Sequence, residues 1–268
     1  MNGFKKVAAI LVGLCLVVGL GTTTANAADA LQDIQSRGTI KVGMLVDFPP
    51  YGLMNEQNQP DGYDADVAKL LAQDMGIKLQ LVPVTGPNRI PYLLSGQVDV
   101  LVASLGITPE RAKKVDFSDP YAAITIGVYG KEDVDISKPE DLAGKTIAVA
   151  RASTQDTAVT KAAPKSTDIR RFDSDSSALQ ALISGQVPLI GCSNVCYVTI
   201  QKLAPNKFNK KFELSSQVQG IAVKPGEDKL LAAINQFIGK IKQDGSLDKV
   251  NQKWLGAPMP SVLTKSAK

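Results

Sequence analysis

The stretch Leu93-Leu94-Ser95-Gly96-Gln97-Val98-Asp99 decides how this chain is read. An apolar pair ends a helical pattern, a glycine stops it, and a β-branched residue opens an extended run at once. Glycine suits that stop because it accepts the left-handed backbone that closes a helix. Working back, Arg89 to Ser95 reads as a helix, Lys78 to Val82 as a strand, Tyr63 to Met75 as a helix closed by Gly76, and Thr39 to Met44 as a strand. Working forward, Val98 to Ala103 is the next strand. The order β-α-β-α-β predicts an open, mostly parallel sheet with helices on both faces.

The same turn recurs as Leu182-Ile183-Ser184-Gly185-Gln186-Val187-Pro188. Around it lie a strand at Thr146 to Val149, a helix near Thr154 to Ala163, a strand near Asp168 to Phe172, a helix near Ser177 to Ser184 and a strand near Val187 to Ile190. Two related α/β lobes are therefore expected, with Ser104 and Ser193 as counterparts just past the carboxyl ends of core strands. Ala123 to Tyr129 and Val218 to Val223 read as extended crossings, a two-segment hinge. Residues 28–124 and 222–268 would form one lobe and 125–221 the other. Asp228 to Lys242 is amphipathic, with Leu230, Leu231, Ile234, Phe237, Ile238 and Ile241 on one face.

The first 27 residues stand apart. Lys5 and Lys6 precede an apolar run from Val7 to Leu20, and Ala25 and Ala27 give the A-x-A pattern of a cleaved secretory signal. A membrane anchor is the alternative, but the apolar run is short for a span. Cys15 falls inside this segment. Cleavage near Ala27 removes two lysines and lowers the formal charge from +4 to +2. No basic block points to nucleic acid. Histidine is absent, which removes Ser-His-Asp and Cys-His catalysis and most zinc sites. No motif calls for a metal or organic cofactor. Cys192 and Cys196 could be a disulfide in an exported chain, though their spacing suits one poorly, or two buried thiols.

In open parallel sheets ligands bind beyond the carboxyl ends of the strands. That places Asp47-Phe48, Ser104-Leu105-Gly106, Arg151-Ala152-Ser153-Thr154 and Ser193-Asn194 around one cleft. Thr108-Pro109-Glu110-Arg111 is a capped helix start whose N–H groups and guanidinium could grip a carboxylate, or an ordinary capped helix with a solvated arginine. Ser153-Thr154-Gln155-Asp156 repeats that ambiguity in the second lobe. Phe48 could wall a ligand or pack its own loop, and Arg89 could point into the cleft or out of it.

Four stretches carry a resemblance. They are Phe48-Pro49-Pro50-Tyr51 with Asp61-Gly62-Tyr63-Asp64-Ala65-Asp66-Val67-Ala68; Asn88-Arg89-Ile90-Pro91 with Leu94-Ser95-Gly96-Gln97-Val98-Asp99; Thr108-Pro109-Glu110-Arg111 with Val115-Asp116-Phe117-Ser118-Asp119-Pro120-Tyr121; and Leu142-Ala143-Gly144-Lys145-Thr146-Ile147-Ala148-Val149 leading to Ser153-Thr154-Gln155. From about Thr39 to Gly256 the chain resembles the periplasmic amino-acid-binding proteins of ABC importers, with the type II two-lobe fold. The resemblance implies a monomer in the periplasm that passes an amino acid to importer membrane subunits. It implies that Arg111 grips the ligand carboxylate, with Thr108, Ser104, Gly106 and Thr154 assisting, that Phe48 stacks on the ligand side chain, and that Arg89 approaches it as in the acidic-amino-acid subgroup.

One position departs from the family pattern. Where members place an aspartate that pairs with the ligand ammonium, this chain has Ser193, and no acid lies between Gly185 and Asn206. Burying an ammonium without a counter-charge is costly. Either another acid compensates, Asp47 first, or the ligand is another small carboxylate. Arg89, Arg111 and Arg151 against Asp47 alone favour an anionic ligand, an acidic amino acid or a dicarboxylate. A lyase or dehydratase on the same scaffold is the competing class, and would use a cleft acid as general acid.

Overall fold

The computed structural model describes residues 29–264. The expected signal segment and its cleavage site lie outside that range. Among the described residues no helix is long and apolar enough to cross a membrane.

Helix α1 (Ala30–Arg37) leads through Gly38 into β1 (Thr39–Leu45). A small antiparallel sheet follows, made of β2 (Asp47–Phe48), β3 (Gly52–Met54) and β4 (Pro60–Asp61). Then come α2 (Tyr63–Asp74), β5 (Lys78–Val84), α3 (Arg89–Leu94), β6 (Val100–Leu101) and the single-turn α4 (Pro109–Ala112). The long β7 (Asp116–Lys131) crosses to β8 (Thr146–Ala150), α5 (Thr154–Ala162), β9 (Asp168–Phe172), α6 (Asp175–Ile183), β10 (Leu189–Ser193) and α7 (Asn194–Leu203). The long β11 (Phe208–Val223) returns, and α8 (Asp228–Gln243), α9 (Ser246–Leu255) and α10 (Ser261–Thr264) complete the first half.

The main sheet has eight strands in the order β5-β1-β6-β11-β7-β10-β8-β9. On one side of the β7/β11 pair, β1 lies between β5 and β6 in parallel; on the other, β8 lies between β9 and β10 in parallel. Each trio places its first strand in the middle, so the repeated helix-glycine-strand turn reflects a repeated topology. Gly96 (φ +75°) and Gly185 (φ +78°) both adopt the left-handed conformation that the pattern required. The crossings are longer than the apolar runs suggested. β7 and β11 pair antiparallel nearly end to end, with four register shifts between Lys210 and Ala222. Those irregularities sit in the ribbon that joins the two parallel trios of the one sheet, where bulges raise the local twist.

The main core packs helices of both halves against this sheet. The amphipathic pattern after Glu227 becomes α8, which buries Leu230, Ile234, Phe237, Ile238 and Ile241. Each such side chain contributes roughly 1.5–3 kcal/mol relative to exposure. A smaller cluster around Val128, Ile147, Val149, Val159 and Leu189 packs the opposite face of the second half. Cys192 and Cys196 are buried free thiols, so the disulfide alternative does not hold.

Candidate functional site

A narrow pocket lies between the two halves, beyond the carboxyl ends of their parallel strands. It is lined by Asp47, Phe48, Arg89, Ser104, Arg111, Arg151, Ser153 and Thr154, all expected from sequence, together with Gln155, Asp173, Asp175 and Gln219, which were not.

Arg89, at the first position of α3, is only 4% exposed. It donates to the carbonyls of Gly86 (3.2 Å), Ala103 (2.9 Å) and Ala152 (3.3 Å) and forms no ion pair with any described residue. Arg111 donates from Nη1 to Gly106 O at 2.9 Å and from Nη2 to Ala152 O at 2.8 Å. Two guanidinium groups of the first half thus converge on one carbonyl of the second. Burial, with Arg89 as a neighbouring cation, pulls the Arg111 guanidinium down to about 9. Arginine nevertheless stays charged at neutral pH, so that shift expresses the attraction of the site for an anion. Ala152 turns its carbonyl toward the arginines by adopting φ +59°, a left-handed conformation rare for alanine, and Ser104 across the cavity has φ +47°.

Opposite Arg111 stands the start of α5. Ser153 caps it, its Oγ accepting from Asp156 N at 3.0 Å, and Ser153, Thr154 and Gln155 are all buried. A helix start with free N–H groups attracts a carboxylate. Ser104 is held from below by the buried Asp64, which accepts from Ser104 Oγ (2.9 Å) and Tyr121 Oη (2.7 Å). Burial raises the Asp64 carboxyl to about 7. Gly62 makes this possible: with φ +128°, a Cβ there would lie 2.5 Å from Tyr51 O, so only glycine brings Asp64 into place.

Three expected residues stand outside the cavity wall. Thr108 caps α4, its Oγ1 accepting from Arg111 N at 3.3 Å, and so orients Arg111 instead of facing the cavity. Gly106 offers its carbonyl to Arg111 and bridges to Gln219. Ser193 is fully buried, and its Oγ accepts from Cys196 N at 3.2 Å as the cap of α7. Its hydroxyl is turned into its own helix start and away from the cleft. Arg151 lines the cavity but is half exposed, donating to Asp173 Oδ1 (3.2 Å) and Arg171 O (3.2 Å).

The additions come from places the strand-end rule had covered without being applied. Asp173 and Asp175 follow the edge strand β9. Ser174 caps α6 by accepting from Ser177 N at 3.0 Å, so the helix starts at Asp175, two residues before the expected point, and carries that acid to the cavity rim. Burial raises the Asp175 carboxyl to about 7, helped by the charge of Asp47 and opposed by Arg89. Burial also raises Asp47, whose Oδ1 is enclosed without a hydrogen-bond partner. Gln219 reaches the cavity from β11, donating to Ser104 O at 3.4 Å.

A family model described as bacterial extracellular solute-binding proteins, family 3, matches residues 40–257. The chain is 27% identical over 250 residues to an L-cystine-binding protein of Escherichia coli strain K12, covering 92% of this chain and 94% of that protein. Among solved structures, an ancestral arginine-binding protein bound to arginine is 38% identical with a TM-score of 0.77, over 81% of this chain and 98% of that one. The ancestral amino acid-binding protein AncCDT-1, a precursor of cyclohexadienyl dehydratase, is 33% identical with a TM-score of 0.77, over 84% and 98%. Both halves, the hinge ribbon and the cleft fall inside these alignments, and the chain belongs to family 3 of the bacterial extracellular solute-binding proteins.

Proposed function

We propose that this protein captures a small amino acid in the periplasm, after cleavage of its signal near Ala27, and delivers it as a monomer to the membrane subunits of an ABC importer. The carrying observation is the cavity between the halves, where Arg111 and the start of α5 face one another and can enclose a carboxylate from both sides. In this reading the lobes divide within β7 and β11, at residues 124/125 and 221/222, and closure around the ligand is the signal that the importer reads. The relatives' names, arginine-binding and L-cystine-binding, support an amino acid and differ on which one.

The acidic preference expected from three arginines against one acid loses its basis. Arg151 is paired with Asp173, and Asp175 joins Asp47, leaving Arg89 and Arg111 against two acids. A zwitterion leaves that balance unchanged, whereas a dicarboxylate adds two negative charges beside Asp47 and Asp175.

A thermal-shift screen of refolded protein against the amino acids, small dicarboxylates, polyamines and sugars tests this. A true ligand at about 100 times its Kd adds roughly 2.7 kcal/mol and raises Tm by about 2–4 °C. Arg111→Ala should abolish the response. A response confined to sugars or polyamines overturns the reading.

A second reading, a lyase on this scaffold, has one observation in its favour: a cleft carboxyl at about 7, that of Asp175, can hold a proton for a leaving group. Recovery of unchanged amino or hydroxy acids after incubation supports the binding role; an elimination product installs the lyase.

A further inference from the structure

Asp47 and Asp175 belong to opposite sides of the cleft, at β2 and at the first turn of α6, yet they line the same cavity. Together with Phe48 they also line a smaller adjoining pocket, walled by Leu179, Cys196 and Thr199, which neither Arg111 nor Thr154 reaches. The cleft is therefore polarised. Arg111 and a helix start line only the main pocket, and the two carboxyls also border the adjoining one.

Ser176 donates from Oγ to Asp47 O at 2.9 Å, so closure locks the two acids on neighbouring walls. No other side chain of the described residues forms an ion pair or hydrogen bond with either carboxylate, and Asp47 Oδ1 is enclosed without a partner. Arg89 is the cation that acts on both, but three of its five guanidinium hydrogens go to backbone carbonyls and none to either carboxylate. Two carboxylates brought together in a poorly solvated space repel and resist ionisation. A cation between them removes both costs. The position from which the family pattern would supply a negative charge is closed off, because Ser193 is buried and caps α7.

We propose that Asp175, with Asp47 facing it from the other half, supplies the negative charge that Ser193 lacks and binds the ammonium group of a zwitterionic ligand. This rests on the amino-acid reading above and identifies the specificity-determining acid within it. Because the two acids come from different halves, the ammonium also bridges the cleft. A carboxylate without an ammonium would engage Arg111 but leave the acid pair opposing closure.

The test is calorimetric titration at about pH 8 of wild-type protein and of Asp175→Asn, Asp175→Glu and Arg111→Ala. The probes are L-glutamine, L-arginine and L-cysteine, with their desamino analogues glutaramate, δ-guanidinovalerate and mercaptopropionate. Asp175→Asn should weaken the amino acid by at least about tenfold while its desamino analogue binds as tightly as to wild type or more tightly, and Asp175→Glu should restore part of the amino acid's affinity. Asp175→Asn binding the amino acid like wild type, or losing amino acid and analogue alike, overturns the proposal. In the first case, loss of binding in Arg111→Ala leaves the amino-acid reading standing. Wild-type protein that binds none of the amino acids overturns both.

Discussion

At Gly106 the absence of a side chain lets the second half approach closely. A Cβ there would lie 2.6 Å from Thr154 Cγ2 and 2.8 Å from Gln217 Cγ. The glycine thus acts through its smallness, while its carbonyl seats Arg111. Gly106→Ala should cost about 1–3 kcal/mol of overpacking in the closed form and weaken ligand binding about tenfold or more, read by titration alongside Tm. Unchanged affinity would mean that the halves do not close to this contact. At this scale the sequence identified residue types better than the direction in which they point. Arg89, Arg111, Ser153 and Thr154 reach the cavity as expected. Thr108 and Ser193 do not, because a hydroxyl that caps its own helix is turned toward backbone N–H groups and away from a ligand. Nothing in the local spelling distinguishes those capping roles from the similar role of Ser153, which caps α5 and lines the cavity as well.

Helix starts are the elements on which the site is built, and α5 is the clearest case. Ser153→Ala removes the acceptor for Asp156 N and should lower stability by about 1 kcal/mol, with a fall in ligand affinity if the same turn holds the carboxylate. Comparing Tm and Kd for this variant separates the two effects. A variant with unchanged Kd would place the carboxylate elsewhere. Element order was legible because glycine stops, alternating runs and the α8 stripe each obey a strong local rule, and the structure reproduces β1, α2 and α8 to within a residue or two. The length of β7 and β11 was hidden, since Asp116 to Pro120 and Asn209 to Gln217 are polar and pair only through tertiary contact. The α6 boundary was hidden too. Starting that helix at Ser177 left the turn after β9 outside the list of cleft loops, and Asp175 went unseen with it.

Among the described residues, the carboxyls of buried Asp64 and half-buried Asp175 titrate far from their ordinary range. Asp64 and Asp175 both rise from 3.8 to about 7 through burial. Between about pH 4 and pH 7 the unfolded chain has released these protons while the folded chain retains them, so stability falls as pH rises through that window. Carboxyls held low by lysine or backbone partners, such as Asp29, Asp66 and Asp141, titrate below it. Calorimetry of ligand-free protein should give a higher Tm at about pH 5 than at about pH 8, and a Tm that rises or stays level would contradict the raised pair. An ammonium ligand that holds Asp175 ionised should flatten the slope and bind more tightly at the higher pH, with Asp47, Arg89 and Cys192 as the neighbouring groups that share the titration. The end of the chain also shapes the molecule. Trp254 donates from Nε1 to Asp66 Oδ2 at 2.8 Å, and Lys240 pairs with Asp74 at 2.5 Å, so α8 and α9 are fastened to α2. The stretch from β8 to α7 is continuous in sequence, whereas the half bearing Arg111 waits for its last helices. Made from its amino end, the chain can assemble the distal wall of the cleft, with Ser153 and Thr154, before the other wall is complete, and a product cut short before Ser246 would carry Arg89 and Arg111 on a half it cannot finish building.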